Sequence, residues 1–264
     1  MHRILSASAF LLLSLLFFIP HSFAVNYLID GDVSEWGIID WANLNTVTLN
    51  SDSADKVTGD DTLGPGVGGQ AYDVEAMFFD SDPTYGYLAL ITGFPIEGRY
   101  SGGIYFGPGD IGIDVTSDNA AVEDHHAPGS DSITPYEYGI VIPGNLGPIS
   151  TDVMDVTLWK SSYYDGHESE ADPWAIISGV DVGDATFAYG DASNDHYVYE
   201  FSFLLADLGI EYMDAVNFHW TMECGNNYLN LPATVNHAPE PASMLLLGTG
   251  LLGIASISRK KFKK

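Results

Sequence analysis

The chain is poor in cysteine and in basic residues. Cys224 is its single cysteine, so no internal disulfide can form. From residue 25 to residue 238 there are 35 acidic residues but only three basic ones, Lys56, Arg99 and Lys160, a formal charge of −32. Such a charge repels phosphate backbones and excludes nucleic-acid binding. The acidity is consistent with a solvated surface, and also with a surface that gathers cations such as calcium.

Several sequence signatures of enzymes are absent too. No glycine cluster is followed by the lysine of a phosphate-binding loop, and no serine-hydrolase elbow or EF-hand loop is present. A glycoside hydrolase needs two carboxylates at a set separation. With 35 acidic residues in the body, a pair that could be so placed can always be chosen, so the acidic residues are no evidence for such an enzyme. We therefore predict that the protein is not an enzyme, with a glycoside hydrolase as the least favoured alternative.

The acidic part of the chain is nevertheless predicted to fold. Hydrophobic residues make up 46% of the chain and aromatic residues 12%, too many for a disordered sequence. No repeat of fixed period is visible, which argues against a solenoid or a propeller. Short alternating segments separated by Gly, Pro, Asn and Asp instead predict one all-β domain over residues 25–231, either a sandwich or a barrel.

Three segments alternate most clearly between apolar and polar residues. They predict strands at 196–203, 216–223 and 110–115, with Tyr199, Phe218 and their alternate neighbours facing the core. Further strands are predicted at 26–30, 45–50, 73–80, 86–92, 136–142, 154–159, 175–181 and 184–190, a helical turn at 202–208, and a long loop at 116–135.

Residues 1–24 have the features of a cleaved signal peptide. Arg3 precedes a mostly apolar run at 11–19, and Ser22-Phe23-Ala24 gives the small-x-small pattern that signal peptidase recognises. The run is shorter than the roughly 20 residues of a membrane span, which disfavours an uncleaved anchor. We predict secretion across the inner membrane and cleavage after Ala24.

The C-terminal segment carries three features in a fixed order. Pro239-Glu240-Pro241 comes first, an apolar stretch at 242–258 predicts a transmembrane helix, and a basic tail at 259–264 contains Arg259, Lys260 and Lys261. This order resembles the PEP-CTERM sorting signal of Gram-negative bacteria. The resemblance implies that the tail anchors the protein in the inner membrane, where exosortase recognises it. Cleavage then moves the body to the cell surface or the exopolysaccharide matrix. Residues 232–238 are predicted to be a linker.

The body carries a second, looser resemblance. The segments 29–36 (IDGDVSEW), 72–75, 109–114 and 199–203 (YEFSF) are similar to family 9 carbohydrate-binding modules and their DOMON-like relatives. The resemblance implies a single antiparallel β-sandwich with jelly-roll-like topology, bound structural calcium, and a sugar clamped between two tryptophans.

Two groups of residues are candidates for binding. Trp159 and Trp174, with Tyr163 and Tyr164, have the chemistry that stacks on pyranose rings, although an aromatic edge packed on the core would look the same. Carboxylates on irregular segments suit calcium, and the candidate ligands are Asp30, Asp32, Asp110 and Asp114.

These observations predict a non-catalytic polysaccharide-binding protein of the cell surface or biofilm matrix. The alternative is a structural matrix or adhesion protein that acts through its acidic surface and calcium, without a specific sugar site.

Overall fold

The computed structural model describes residues 26–39, 44, 47–59, 69–116, 136–143, 151–160, 173–193 and 196–236. In these ranges the chain forms 3₁₀ turns and thirteen strands. The strands are β1 Asp55–Thr58, β2 Val74–Ser81, β3 Tyr85–Thr92, β4 Arg99–Ser101, β5 Ile104–Phe106, β6 Ile111–Asp114, β7 Tyr138–Ile140, β8 Asp152–Lys160, β9 Ala175–Asp184, β10 Thr186–Ser193, β11 His196–Leu204, β12 Ala215–Thr221 and β13 Tyr228–Thr234.

The strands form two antiparallel sheets and one separate hairpin. The five-stranded sheet has the order β1-β2-β3-β11-β10, and the six-stranded sheet has the order β13-β12-β6-β7-β8-β9. Among the described strands, β4 and β5 pair only with each other. The prediction of an all-β, antiparallel sandwich is therefore confirmed.

The main core lies between the two sheets. Alternate residues of β11 and β12 face it, among them Tyr199, Phe201 and Phe218, as their spacing predicted. The ring centroids of Phe79 and Phe218 lie 4.8 Å apart, which joins the two sheets across the core. Their polar alternates therefore point to the outer faces of the sheets.

A second core covers the outer face of the five-stranded sheet. The N-terminal segment packs Tyr27 and Trp36 against Phe78 and Val198 of that sheet. The carboxylate of Glu200, a buried neighbour of these residues on β11, accepts hydrogen bonds from Asp30 N, Gly31 N and Trp36 Nε1 at 3.2, 2.8 and 3.1 Å.

Several predicted boundaries are wrong. Residues 26–30 and 47–50 lie outside every strand, because the N-terminal segment is held by side-chain contacts such as those of Glu200. Strands β1, β4, β5 and β13 were not predicted. The predicted linker at 232–238 begins too early, because β13 runs to Thr234. Its Pro232 is tolerated because β13 is an edge strand, where one side needs no N–H donor.

Candidate functional site

The two predicted sugar-stacking tryptophans are buried. Trp159 is 7% exposed and Trp174 is 1% exposed. The indole of Trp159 packs edge-on against Tyr136 and donates its Nε1 proton to the Tyr136 carbonyl at 3.1 Å. Lys160 Nζ lies 4.9 Å from the centre of the Trp174 ring. Among the described residues, the two indoles leave no open slot for a sugar. Tyr163 and Tyr164 lie outside those residues.

An exposed aromatic pair lies elsewhere, on the hairpin of β4 and β5. Tyr100 and Tyr105 are directly paired across the two strands, with ring centroids 5.3 Å apart. Tyr100 is 77% exposed and Tyr105 is 38% exposed, and Ile104 is exposed beside them. We name residues 99–106 the tyrosine hairpin. Its aromatic pair belongs to neither hydrophobic core and is exposed to solvent.

The sequence dictates this hairpin locally. Gly102 and Gly103 form its tip with φ values of +61° and +84°, which a two-residue turn of the primed type requires and glycine adopts without strain. The hairpin was not predicted from the sequence, although two glycines between alternating strands are a hairpin signal.

Polar groups at the base of the hairpin fix its position. The Glu223 carboxylate accepts a hydrogen bond from Gly107 N at 2.9 Å and lies 3.9 Å from Lys160 Nζ. The Tyr105 hydroxyl donates to the Glu97 carbonyl at 3.1 Å. Burial, and then the charge of Glu223, raise the pKa of Tyr105, because both disfavour the phenolate.

The four aspartates predicted to bind calcium do not form one site. Asp30 and Asp32 lie beside β11 of the five-stranded sheet, where Asp30 Oδ1 accepts from Asp32 N and Asp32 Oδ1 accepts from Ser34 N. Asp114 ends β6 of the six-stranded sheet, and Asp110 comes directly before that strand. The two oxygens of Asp110 each accept a backbone N–H, from Ile142 and from Ile176, at 2.8 Å. Across the described ranges, no three or more His, Cys, Asp or Glu side chains group as a metal site.

The thiol of Cys224 is not poised for catalysis. It is buried, and burial raises its pKa to about 12. We expect no reaction with a thiol reagent in the folded protein near neutral pH, because only the thiolate is nucleophilic. Release of one equivalent of thiol on unfolding in denaturant would check this. Rapid reaction of the folded protein would contradict it.

The fold and this site together define an all-β sandwich protein that displays an aromatic hairpin. Residues 237–260 match the family model of the PEP-CTERM protein-sorting motif. The chain therefore carries an exosortase sorting signal and is an exported cell-surface protein, and the prediction based on Pro239, Glu240 and Pro241 is confirmed. No curated protein and no solved structure matches the chain. The resemblance to family 9 modules thus has no support from these comparisons.

The two predicted export segments, 1–24 and 242–258, lie outside the described residues. Among the residues that the structure does describe, no helix is long and apolar enough to cross a membrane.

Proposed function

We propose that the body is a non-catalytic polysaccharide-binding module, which exosortase delivers to the cell surface or to the exopolysaccharide of a biofilm matrix. The proposal implies removal of residues 1–24 by signal peptidase and transient insertion of residues 242–258 in the inner membrane. The observation that carries the binding function is the exposed Tyr100–Tyr105 pair.

The chemistry of the hairpin suits a sugar ring. Tyrosine rings pack against the C–H faces of pyranoses, and nearby oxygens accept hydrogen bonds from sugar hydroxyls. The Glu223 carboxylate at the base of the hairpin and the two tyrosine hydroxyls supply such groups. The ring faces need no rearrangement of the core to reach a ligand.

Charge narrows the class of polysaccharide. With 35 acidic and three basic residues between residues 25 and 238, the protein repels anionic chains such as uronates. We infer that the preferred ligand is a neutral polysaccharide, and that an anionic one would bind only through bridging calcium. Bridging without a specific sugar site is the second candidate function, that of a structural matrix protein, and the net charge is the observation that favours it.

Replacing Tyr100 with alanine is expected to weaken binding to a neutral polysaccharide about tenfold, because one stacking face is lost. Tyr105→Ala should weaken it similarly. Affinity electrophoresis in gels containing the producing cells' exopolysaccharide, followed by calorimetry, would measure both. The matched control is Tyr212→Ala, which removes an exposed tyrosine outside the hairpin.

If both hairpin variants are retarded by the polysaccharide gel as strongly as the unmodified protein, the tyrosine hairpin is not the binding site. Complete absence of binding by a folded protein, in the presence of calcium, would favour the structural-matrix function instead.

A further inference from the structure

Asp114 and Asn217 are neighbours on the outer face of the six-stranded sheet. They pair directly across β6 and β12. Ile113 and Phe218, adjacent to them in sequence, face the core between the sheets, so Asp114 and Asn217 point the other way. Side chains paired in this manner have Cβ atoms about 5 Å apart, close enough to share one ligand.

Among the described residues, each of these two side chains has an acceptor oxygen without a hydrogen-bond partner. Asp114 is 1% exposed, and its Oδ1 accepts hydrogen bonds from Thr116 N and Thr116 Oγ1 at 2.9 and 3.2 Å. Its Oδ2 and the Oδ1 of Asn217 are buried and have no hydrogen-bond partner within the part of the chain that the structure describes. Because both atoms are acceptors, they cannot bond to each other unless a donor or a cation lies between them.

A second carboxylate, that of Glu137, adds negative charge beside Asp114. Glu137 Oε2 accepts from Val115 N at 3.1 Å, and its Oε1 lies 3.4 Å from the Thr116 hydroxyl. That hydroxyl has one proton and faces oxygens of both Glu137 and Asp114, so it can donate to only one of them at a time.

None of the three Lys and Arg side chains of the body, all of which lie within the described ranges, compensates this charge. The three between residues 25 and 238 contact other groups: Lys56 Nζ bonds to Val47 O, Arg99 bonds to Gly93 O, and Lys160 pairs with Glu223. A buried carboxylate oxygen without a partner lowers the stability of the fold, and a cation bound beside it would offset that penalty.

We propose that Asp114 Oδ2 and Asn217 Oδ1 are direct ligands of one hard divalent cation, with calcium as the best-suited ion and Glu137 adding negative charge beside it. Carboxylate and amide oxygens are the ligands that calcium prefers, and water completes its coordination shell. Of the four aspartates predicted from sequence, only Asp114 belongs to this site. The site is independent of the tyrosine hairpin, and the cation stabilises the six-stranded sheet.

The protein as secreted, stripped with chelator, tests the proposal through its melting temperature and its calcium calorimetry in excess magnesium. Calcium should raise the melting temperature and give saturable heat. Asp114→Asn should weaken calcium binding about tenfold or more, because it removes the charged ligand. Asp30→Asn and Asp32→Asn, matched losses of one aspartate charge, should leave it unchanged. Equal calcium binding by Asp114→Asn would overturn the site.

A variant of Asn217 separates a cation from a plain hydrogen bond. If calcium binds here, Asn217→Asp supplies a second carboxylate, so calcium affinity should increase and calcium should restore the stability of the variant. If instead the Asn217 amide nitrogen donates to Asp114, the variant would place two carboxylates together and would lose stability equally with and without calcium. That second outcome overturns the proposal, even where Asp114→Asn fails to fold.

Discussion

Replacing Gly109 with alanine is expected to lower the free energy of unfolding by about 3 kcal/mol. Gly109 has φ +81°, a conformation that L-residues with a side chain rarely adopt. A Cβ atom there would also collide with the backbone carbonyl oxygen of Thr221. Neither side can move easily, because Thr221 ends β12 and Asp110 N is bonded to Trp174 O at 2.7 Å. Urea denaturation of the two proteins would measure the change.

Gly102→Ala is the matched control for that experiment. Gly102 also has a positive φ, +61°, but no atom lies within 4 Å of the position its Cβ would take. Its replacement should therefore cost only the left-handed backbone conformation, about 1 kcal/mol. Equal losses in the two variants would mean that the close approach of Gly109 to Thr221 does not constrain the fold.

The faces of the central strands could be predicted from the sequence because alternation reports burial directly. Phe201 and Phe218 face the core as their spacing indicated. Strand β13 could not be predicted in the same way. Its Pro232 reads as a linker residue, and only the position of the strand at the edge of the sheet makes proline acceptable there.

The binding residues were harder to predict than the fold. Trp159 and Trp174 have the residue type of a sugar site, but residue type does not say whether an indole faces solvent or the interior, and both are buried. The exposed pair, Tyr100 and Tyr105, lies on a three-residue strand each, too short for a periodic pattern to be recognised. Whether a side chain is exposed depends on which strands pair and pack in the fold. Alternation within a three-residue strand does not determine this.

Glu200 shows how two separated sequence segments depend on each other. Its carboxylate binds the backbone of Asp30 and Gly31 and the indole of Trp36, about 170 residues earlier in the chain. Burial raises its pKa from 4.5 to about 7, although these three hydrogen bonds lower it, and the charge of Glu35 raises it further. The folded protein therefore pays an electrostatic cost for the ionised form of this side chain.

The sign of the pH dependence follows from that shift. Because the folded state holds the proton more tightly than the unfolded chain, the contribution of Glu200 to stability is greatest below about pH 4.5 and decreases as the pH rises through about 7. The full decrease is about 3 kcal/mol for a shift of this size. Other acidic residues add their own repulsion, so the contribution of Glu200 must be measured as a difference.

Glu200→Gln isolates this contribution, because glutamine keeps the shape of the side chain and does not ionise. Urea denaturation at about pH 5 and about pH 8 should show the Gln variant gaining about 2 kcal/mol relative to the unmodified protein over that interval. Glu211→Gln removes the same formal charge from an exposed position. It should change the free energy of unfolding by the same amount at both pH values. If the Glu200→Gln and unmodified proteins lose stability in parallel as the pH rises, Glu200 is not the buried ionisable group that links the N-terminal segment to β11.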